Sequence, residues 1–442
     1  YINYLNKTKT NSKLSNFIYN EEMAKIEHPD EFDYVEIGDL NSKGEITPNS
    51  INLNIRNFDN EDVIKKIENG NIQSVVKNDI LLSSVRPNLK KILLIDDSNK
   101  HLYFTKAFHK IRSKINPKLT FYLLKYVYFN TLNCIARMGK GYPTLKIDDL
   151  LEAKIDDSNF SKIIKNEKKI IEKVEFLENK IFKISKKLID EDAVINKLFE
   201  KTYNYDFNKI YKKYFKLNYK INFYDLNSSN DLRLGFKYRN PLRNELLSLC
   251  STFSSNTIDK YIKIPIKLGQ TLTEDNIDAT TDKHYISMAN IKSLYLNTDE
   301  TAKISEDFYE EFKDVNSTRL DDILLARSGE GTIGKVAVVD QKIEGLFADF
   351  LMRIRLDNYP SNYAYYFFRT KIFQELINLT KKGLGNNTNI YPSDISQLPI
   401  PDLDNKLKKC CDEITKIIKV NKSMNNEIVN LRGKILDYIN NL

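Results

Sequence analysis

Residues 329–335, GEGTIGK, have the residue types and spacing of a phosphate-binding loop. In such a loop, backbone N–H groups surround phosphate oxygens, and a following Ser or Thr binds magnesium. Here the next residue is Val336, and a β-type run follows where a phosphate-binding loop requires a helix. We therefore interpret 329–335 as a turn between two strands, whose glycines allow a ligand to approach the backbone closely. A purely structural hairpin is the alternative interpretation.

Loops in both halves of the chain carry the side chains that we predict to bind DNA. Lysine and arginine contact phosphates, while Asn and Arg side chains can pair with base edges. In the first half the candidates are Ser84, Arg86, Asn88, Lys90, Lys91, Lys140 and Tyr142. In the second half they are Arg327, Ser328, Thr332, Lys335, Lys381, Lys382, Asn386, Asn387 and Thr388. Polar loops without a binding role are the alternative around 139–142 and 381–388.

The stretch 205–243 combines nine Lys or Arg residues with ten aromatic residues and three Asp. Basic side chains neutralise phosphates, and aromatic side chains add apolar contacts to nucleic acid. The alternative is a solvated connection whose aromatic side chains pack on the following domain. The sequence leaves both interpretations open.

Catalytic patterns are weak in this chain. Asp148, Asp149, Glu152 and Lys154 faintly resemble a nuclease site, in which carboxylates and a lysine hold magnesium and activate water. The fragment 239–242, RNPL, lacks the second proline and the aromatic residue of the loop that holds a flipped base for methylation. We therefore predict a recognition protein with no catalytic residues, no metal site and no bound cofactor.

Composition limits the classes of protein. A chain of 442 residues with 41% hydrophobic residues and a net charge of +8 indicates two or three folded domains and only a modest basic excess. No apolar run is long enough to predict a membrane span, and no signal peptide is recognisable. The four cysteines form no C-x-x-C pair, so we expect reduced thiols in a bacterial cytoplasm.

The chain repeats itself, and the repeat predicts its architecture. Asp79-Ile80-Leu81-Leu82 matches Asp322-Ile323-Leu324-Leu325, and Leu145 matches Ile390. The repeated blocks follow the same order, as 34–40, 78–96, 122–130 and 139–155 in the first half and 284–291, 321–340, 363–370 and 383–401 in the second. Short β-branched runs and aromatic-rich helical runs within each half predict an α+β domain.

A heptad pattern of apolar residues follows each repeat and predicts coiled-coil helices. The first seam consists of Ile170, Val174, Leu177, Ile181, Ile184 and Leu188. The second seam includes Ile414, Ile417, Asn421, Met424, Ile428, Leu431 and Ile435. We expect the two helices to pair antiparallel, with Asn421 fixing their register. The alternative is that each helix packs as a surface helix on its own domain.

The motif order DILLARSGEGTIGKVAVV (322–339), YAYYFF (363–368), GNNTNIYPSDISQLPIP (385–401) and a heptad helix resembles the specificity subunits of type I restriction-modification systems. Residues 34–155 resemble a more divergent copy, although the tryptophan often found at the start of each recognition domain is absent. The resemblance implies target-recognition domains at 1–156 and 205–401, with long coiled-coil helices at 157–204 and 402–442. It implies an α+β protein with a pseudo-twofold internal repeat, in which the antiparallel coiled coil separates the two similar domains.

The resemblance also implies partners. They are double-stranded DNA with a bipartite asymmetric target, two methyltransferase subunits that bind S-adenosylmethionine, and translocase-nuclease subunits. Adenine methylation and DNA cleavage would then belong to the assembled complex. Two alternatives stay open: the recognition portion of a fused methyltransferase-nuclease whose enzymatic part precedes Tyr1, and a coiled-coil scaffold that does not bind DNA.

Overall fold

The computed structural model describes residues 12–20, 29–41, 44–54, 58–138, 143–155, 160–221, 233, 235–291, 296, 298, 301–329, 331–383 and 387–441. By their contacts the chain divides into two compact units. The first unit is Tyr1–Lys187 with Asn425–Leu442, and the second is Leu188–Met424.

The first unit is built from short strands and helices. Its strands are β1 (Ile18–Asn20), β2 (Glu31–Val35), β3 (Asn49–Asn52), β4 (Ile72–Ser74), β5 (Ile80–Ser83), β6 (Ile92–Leu94), β7 (Tyr103–Thr105), β8 (Phe108–Ser113), β9 (Arg137–Met138) and β10 (Pro143–Thr144). Its helices are α1 (Phe58–Glu68), α2 (Pro117–Tyr122), α3 (Phe129–Ile135), α4 (Ile147–Leu151), α5 (Phe160–Lys165) and α6 (Glu167–Ser185), with a π-helical turn at Leu123–Val127.

Two four-stranded sheets organise the first unit. The first has the order β1-β8-β5-β6 with antiparallel neighbours throughout. The second has the order β3-β2-β7-β4, in which β2 and β7 are parallel. Strand β5 is buried on both faces: Ile80 and Leu82 join one apolar core and Leu81 joins another. This explains its continuous apolar sequence, because neighbouring side chains of a strand point to opposite faces.

The second unit has a similar set of elements. Its strands are β11 (Asn256–Thr257), β12 (Lys267–Leu268), β13 (His284–Ile286), β14 (Ala302–Lys303), β15 (Ile323–Ala326), β16 (Val336–Val338), β17 (Gly345–Phe347), β18 (Leu351–Ile354) and β19 (Pro399–Ile400). Its helices are α7 (Glu191–Tyr203), α8 (Phe207–Tyr214), α9 (Pro241–Cys250), α10 (Glu306–Asn316), α11 (Ser361–Phe368), α12 (Lys371–Thr380) and α13 (Pro392–Ser396). Helix α14 (Asn405–Asn440) follows, and its residues up to Met424 belong to this unit.

The sheets of the second unit repeat those of the first. The order β12-β18-β15-β16 is antiparallel throughout and corresponds strand by strand to β1-β8-β5-β6. The order β14-β13-β17 includes one parallel pair, β13 with β17, as β2 pairs with β7 in the first unit. The sequence repeat therefore predicted a repeated fold, and the α+β class is confirmed.

A buried ion pair at the same place in each unit strengthens the correspondence. Asp79 precedes β5 and accepts a hydrogen bond from Arg112 Nε on β8 at 2.8 Å. Asp322 precedes β15 and accepts from Arg355 Nε, just after β18, at 2.6 Å. Both aspartates are at most 1% exposed, and each also accepts the backbone N–H three residues before it. Burial of a carboxylate is tolerated here because each one is paired and hydrogen-bonded.

Helix α6 carries the first predicted seam. Ile170, Val174 and Leu177 are buried in one apolar core together with Leu431 and Ile435 of α14. The same helix also packs on its own domain, since it contacts α2. Both interpretations of the heptad pattern therefore hold within the first unit: the helices pair, and they also cover the domain.

Helix pairing in the second unit is antiparallel. Asn421 of α14 lies beside Glu191 at the start of α7, with Nδ2 3.1 Å from Glu191 Oε1. Cys410, earlier in α14, lies beside Thr202 near the end of α7. Asn421 is 2% exposed, as its seam position predicted.

The prediction of one continuous helix at 157–204 is wrong. Helix α6 ends at Ser185 and α7 begins at Glu191. The side chain of Asp190 accepts a hydrogen bond from the N–H of Ala193 at 3.1 Å and so caps α7. Asn421 bonds both the N–H and the C=O of Ile189, which lies between the two helices. These contacts satisfy backbone groups that a continuous helix would have paired internally.

None of the helices in the described ranges combines the length and the apolar composition needed to cross a membrane.

Candidate nucleic-acid interface

The glycine-rich run forms the connection between β15 and β16, as the sequence predicted. Val336 begins a strand that pairs antiparallel with β15, so the helix of a nucleotide-binding loop does not follow. Gly329 and Gly334 have φ values of +88° and +91°, in the region that favours glycine. A Cβ on Gly334 would lie 2.5 Å from Gln374 Oε1. Close packing against α12 thus adds a second reason for glycine at this position.

Residues 387–390, at the end of the second predicted loop (381–388) and just after it, lie against this turn. The N–H of Gly329 donates to the C=O of Thr388 at 3.2 Å, and the N–H of Ile390 donates to the C=O of Arg327 at 2.9 Å. Lys382 and Asn389 exchange two backbone hydrogen bonds at 2.7 and 2.8 Å. The structure therefore places two loop segments that are far apart in sequence on one patch of the second unit.

The predicted residues of this patch differ in what their side chains can do. Arg327 is held by the patch itself, because Nε donates to the C=O of Asp349 at 2.8 Å and Nη1 donates to Asn389 Oδ1 at 3.2 Å. Thr332 uses its hydroxyl within the turn, where it donates to the C=O of Ser328 at 2.7 Å. These two side chains shape the loop.

The other predicted residues of this patch differ in how accessible their side chains are to a ligand. Lys335 and Asn387 are exposed and Lys382 is half-buried, whereas Lys381 and Thr388 are buried. Ser328 is half-buried, and Asn386 lies outside the described residues. The accessible lysines can neutralise phosphates, and the Asn387 amide can donate to and accept from a base edge.

The corresponding turn of the first unit, between β5 and β6, has the same neighbours. The N–H of Leu145 donates to the C=O of Ser84 at 2.7 Å, the bond that Ile390 makes to Arg327 in the second unit. The match of Leu145 with Ile390 in the sequence is thus a match in backbone pairing. The N–H of Arg86 also donates to the C=O of Pro143 at 2.8 Å.

Cationic side chains of this first turn are unevenly accessible. Arg86 and Asn88 are exposed. Lys90 is exposed as well, with Nζ 4.3 Å from the ring centre of Phe129. Lys91 is half-buried and donates to the C=O of Ile37 at 2.5 Å. The predicted residues Lys140 and Tyr142 lie outside the described residues.

The nuclease-like residues are engaged in other contacts. Asp149 accepts a hydrogen bond from Arg137 Nη2 at 2.5 Å, and Glu152 accepts one from Lys13 Nζ at 2.5 Å. In the described part of the chain, no three His, Cys, Asp or Glu side chains are grouped so that they could hold a metal ion. The two carboxylates thus have structural partners within the first unit.

One group of side chains in the basic stretch 205–243 was not among the predicted site residues. Three guanidinium groups surround the ring of Tyr238: those of Arg233, Arg239 and Arg243, with Cζ atoms 4.0, 5.4 and 4.1 Å from the ring centre. We call this group the Tyr238 arginine cluster. Alternation of basic and aromatic residues was the only signal for it in the sequence.

Residues 262–435 match the family model described as the type I restriction modification DNA specificity domain. This part of the chain is therefore a domain of the type I restriction-modification DNA specificity family. The match includes the β12-β18-β15-β16 and β14-β13-β17 sheets of the second unit, both loops of its patch and most of α14. The resemblance predicted from residues 322–401 and the helix that follows them is thus confirmed for this part of the chain.

Solved structures of specificity proteins are similar to this chain along most of its length. The S subunit of the type I system from M. genitalium is 10% identical with a TM-score of 0.38, over 97% of this chain and 95% of that one. The HsdS subunit from Thermoanaerobacter tengcongensis is 13% identical with a TM-score of 0.32, over 98% and 97%. A chain from a structure describing complex assembly of a type I R-M system is 15% identical with a TM-score of 0.36, over 97% and 96%. No curated protein sequence matches the chain.

Proposed function

We propose that this specificity protein reads a bipartite, asymmetric DNA target, with one recognition domain in each unit for each half of the target. The observation that carries the proposal is the repeated fold: two antiparallel sheets of the same strand order, each with a polar turn at the same strand connection. A duplicated reader on one chain can contact two half-sites of a single duplex.

The turns differ in sequence, and this difference supports an asymmetric target. The first turn is 83–91, SSVRPNLKK, and the second is 327–335, RSGEGTIGK. The first has proline and no glycine, whereas the second has three glycines. Side chains of different type and position at base edges select different bases, so the two half-sites would differ in sequence.

Phosphate contacts would supply most of the affinity. Lys335 and Lys382 in the second unit, with Arg86 and Lys90 in the first, are accessible cations on the two turns and the adjoining loop. Each cation that neutralises a phosphate releases a counterion, so the affinity of the whole protein should fall steeply with salt. Asn88 and Asn387 are the exposed amides that we assign to base edges.

Methylation would belong to partner subunits. We propose that two methyltransferase subunits, which bind S-adenosylmethionine, assemble on the helices α6, α7 and α14, and that translocase-nuclease subunits join the complex. The complex would act on DNA in the bacterial cytoplasm. The exposed apolar side chains Phe176, Phe182, Val429 and Leu436 on these helices support a protein-binding role for them.

Sequencing of DNA methylation tests this function. Cells that carry the gene beside its neighbouring methyltransferase gene would be compared with cells that carry the methyltransferase gene alone. We expect one split and asymmetric methylated motif that is lost without this chain. An unchanged set of methylated motifs would contradict the proposal. As a control, the Lys260→Gln variant, altered at an exposed lysine that belongs to neither turn, should leave the motif intact.

A further inference from the structure

The glycine-rich turn of the second unit, 327–335, is held at both of its ends. At its start, backbone hydrogen bonds of 2.9 and 3.2 Å join 327–329 to 388–390. At its end, the side chain of Gln374 on α12 donates from Nε2 to the C=O of Gly334 at 2.9 Å. The first contact is made by backbone atoms, whereas the second is made by a side chain that can be replaced.

The same amide group also holds a closely packed corner of the domain. Nε2 of Gln374 donates to the C=O of Phe368, the last residue of α11, at 2.7 Å. Phe368 is fully buried, and its ring stacks on the ring of Phe373 of α12, with the ring centres 4.2 Å apart. Both partners of Nε2 are carbonyl oxygens, which only accept, so the two N–H groups of the amide connect the corner between α11 and α12 to the turn.

A cleft of about 590 Å³ lies beside this contact. Its lining includes 333–336, at the end of the turn and the start of β16, together with Arg369 and Gln374. Glycine at position 334 allows the turn to approach the amide, because a Cβ there would lie 2.5 Å from Gln374 Oε1. Without the hydrogen bond from Nε2, the end of the turn therefore has room to shift.

The end of the turn carries one of the cations that we assign to DNA phosphates. Lys335 is exposed and directly follows Gly334. Phosphate contacts fix the register and orientation of a reader on the duplex, whereas base contacts select the sequence. A shift of Gly334 would therefore displace Lys335 from its phosphate and move Asn387, on the neighbouring loop, relative to the base edge that we assign to it.

The first unit holds its turn by a different contact. Helix α3 begins at the end of the aromatic-rich run 122–130, as α12 begins after 363–370 in the second half. In the first unit, the Nζ of Lys90 lies 4.3 Å from the ring centre of Phe129, the first residue of α3. A change at Gln374 should therefore affect only the reader in the second unit.

We propose that Gln374 is a positioning residue of the second recognition domain, which determines how strictly that domain reads its half of the target. It acts by holding the C=O of Gly334 at a fixed distance from the corner between α11 and α12, and the bases are contacted by the turn and its neighbouring loop. The proposal rests on the DNA-reading function proposed above.

Methylation sequencing at low and matched expression tests this role. Cells with the methyltransferase gene would carry the wild type, Gln374→Glu or Gln374→Met, and the readout is the methylated fraction of genomic sites with one wrong base. Glutamate keeps the shape but presents acceptors to two carbonyls, whereas methionine removes the donors without adding charge. In both variants, discrimination against wrong bases should fall about tenfold in the half-site of the second unit, which is within the range for loss of one base contact.

The other half-site provides an internal control, because it should be read as strictly as in the wild type. The half-site of the second unit is the one that persists when residues 1–156 are exchanged for those of another specificity protein. Gln341→Glu is the matched control variant, since it makes the same chemical change at an exposed residue of the same unit, whose amide donates to Thr298 Oγ1. It should leave both half-sites unchanged.

Each result decides the proposal. Unchanged discrimination in both Gln374 variants would overturn it, while the wild-type motif would leave the proposed DNA-reading function standing. Equal relaxation of both half-sites would also overturn it, as would fewer methylated sites with an unchanged motif, which indicate a role in stability alone. If Gln374→Glu does not fold, as judged by circular dichroism of the purified chain, Gln374→Met decides. If the wild type directs no motif, the DNA-reading function itself fails.

Discussion

Replacing Asn421 by leucine should destabilise the second unit, although a leucine at a coiled-coil seam is ordinarily more stable than a buried asparagine. The reason lies in the partners of the side chain. Asn421 Oδ1 accepts the N–H of Ile189 at 3.0 Å, and Nδ2 donates to the C=O of Ile189 and to Glu191 Oε1, both at 3.1 Å. These partners lie at the interruption between α6 and α7, and a leucine side chain could form none of the three hydrogen bonds.

The expected magnitude follows from these three hydrogen bonds. The two backbone groups of Ile189 would each cost about 1.5 kcal/mol when left unpaired, and the Glu191 carboxylate would lose about 1 kcal/mol. We take the lower part of the usual range because the Ile189 residue is 45% exposed and water can reach it. Asn421→Ala should therefore cost about 4 kcal/mol, and Asn421→Leu about 2 kcal/mol, since burial of the leucine side chain offsets about 2 kcal/mol.

Urea unfolding monitored by far-UV circular dichroism would measure this change. The comparison uses the wild type, both Asn421 variants and the control Met424→Leu, a volume-conserving change at the next seam position that should cost less than about 1.5 kcal/mol. The reasoning is refuted if Asn421→Leu is as stable as the wild type or more stable, because the contacts with Ile189 would then contribute nothing.

Three further predictions follow from buried groups. Exchange of Arg369 for methionine leaves the buried carboxylate of Glu191 without its cation, so urea unfolding should show a loss of about 3–5 kcal/mol; a neutral result would contradict this. Burial lowers the pKa of His109, so the neutral side chain stabilises the fold at pH values above the unfolded pKa of about 6.5. This stabilisation should be lost as the pH falls through the folded pKa, and His109→Gln should therefore show a flatter pH dependence of the urea midpoint. A thiol reagent at neutral pH should label the exposed Cys134 quickly, whereas Cys250, whose pKa burial raises to about 12, should react only after unfolding; equal labelling rates would contradict that.

The repeated fold could be predicted because it leaves a direct trace in the sequence. Strands β5 and β15 are buried on both faces, so their residues form matching apolar runs that begin after Asp79 and Asp322. Asp79 and Asp322 each pair with an arginine inside their own unit, and this pairing explains why an acidic residue precedes both buried strands. The aligned residues Leu145 and Ile390 make the same backbone bond in each unit, so their match in the sequence corresponds to a match in loop position.

The helix interruption and the arginine cluster could not be predicted from local patterns. A heptad count continues through 186–190 because it registers apolar spacing, whereas the break depends on Asp190 as a cap and on Asn421 from a distant part of the chain. Likewise, the stretch 205–243 shows its basic and aromatic composition but not which side chains share one ring. Only the folded backbone brings the guanidinium groups of Arg233 and Arg243 to 4.0 and 4.1 Å from the ring centre of Tyr238.

The central claim is that each unit reads its own half of one DNA target. An exchange of residues 1–156 for the corresponding segment of another specificity protein, followed by methylation sequencing in cells with the methyltransferase gene, tests it most directly. One half of the methylated motif should change while the other half and the asymmetry persist. If both halves changed together, or neither changed while methylation continued, two independent readers on one chain would be the wrong description.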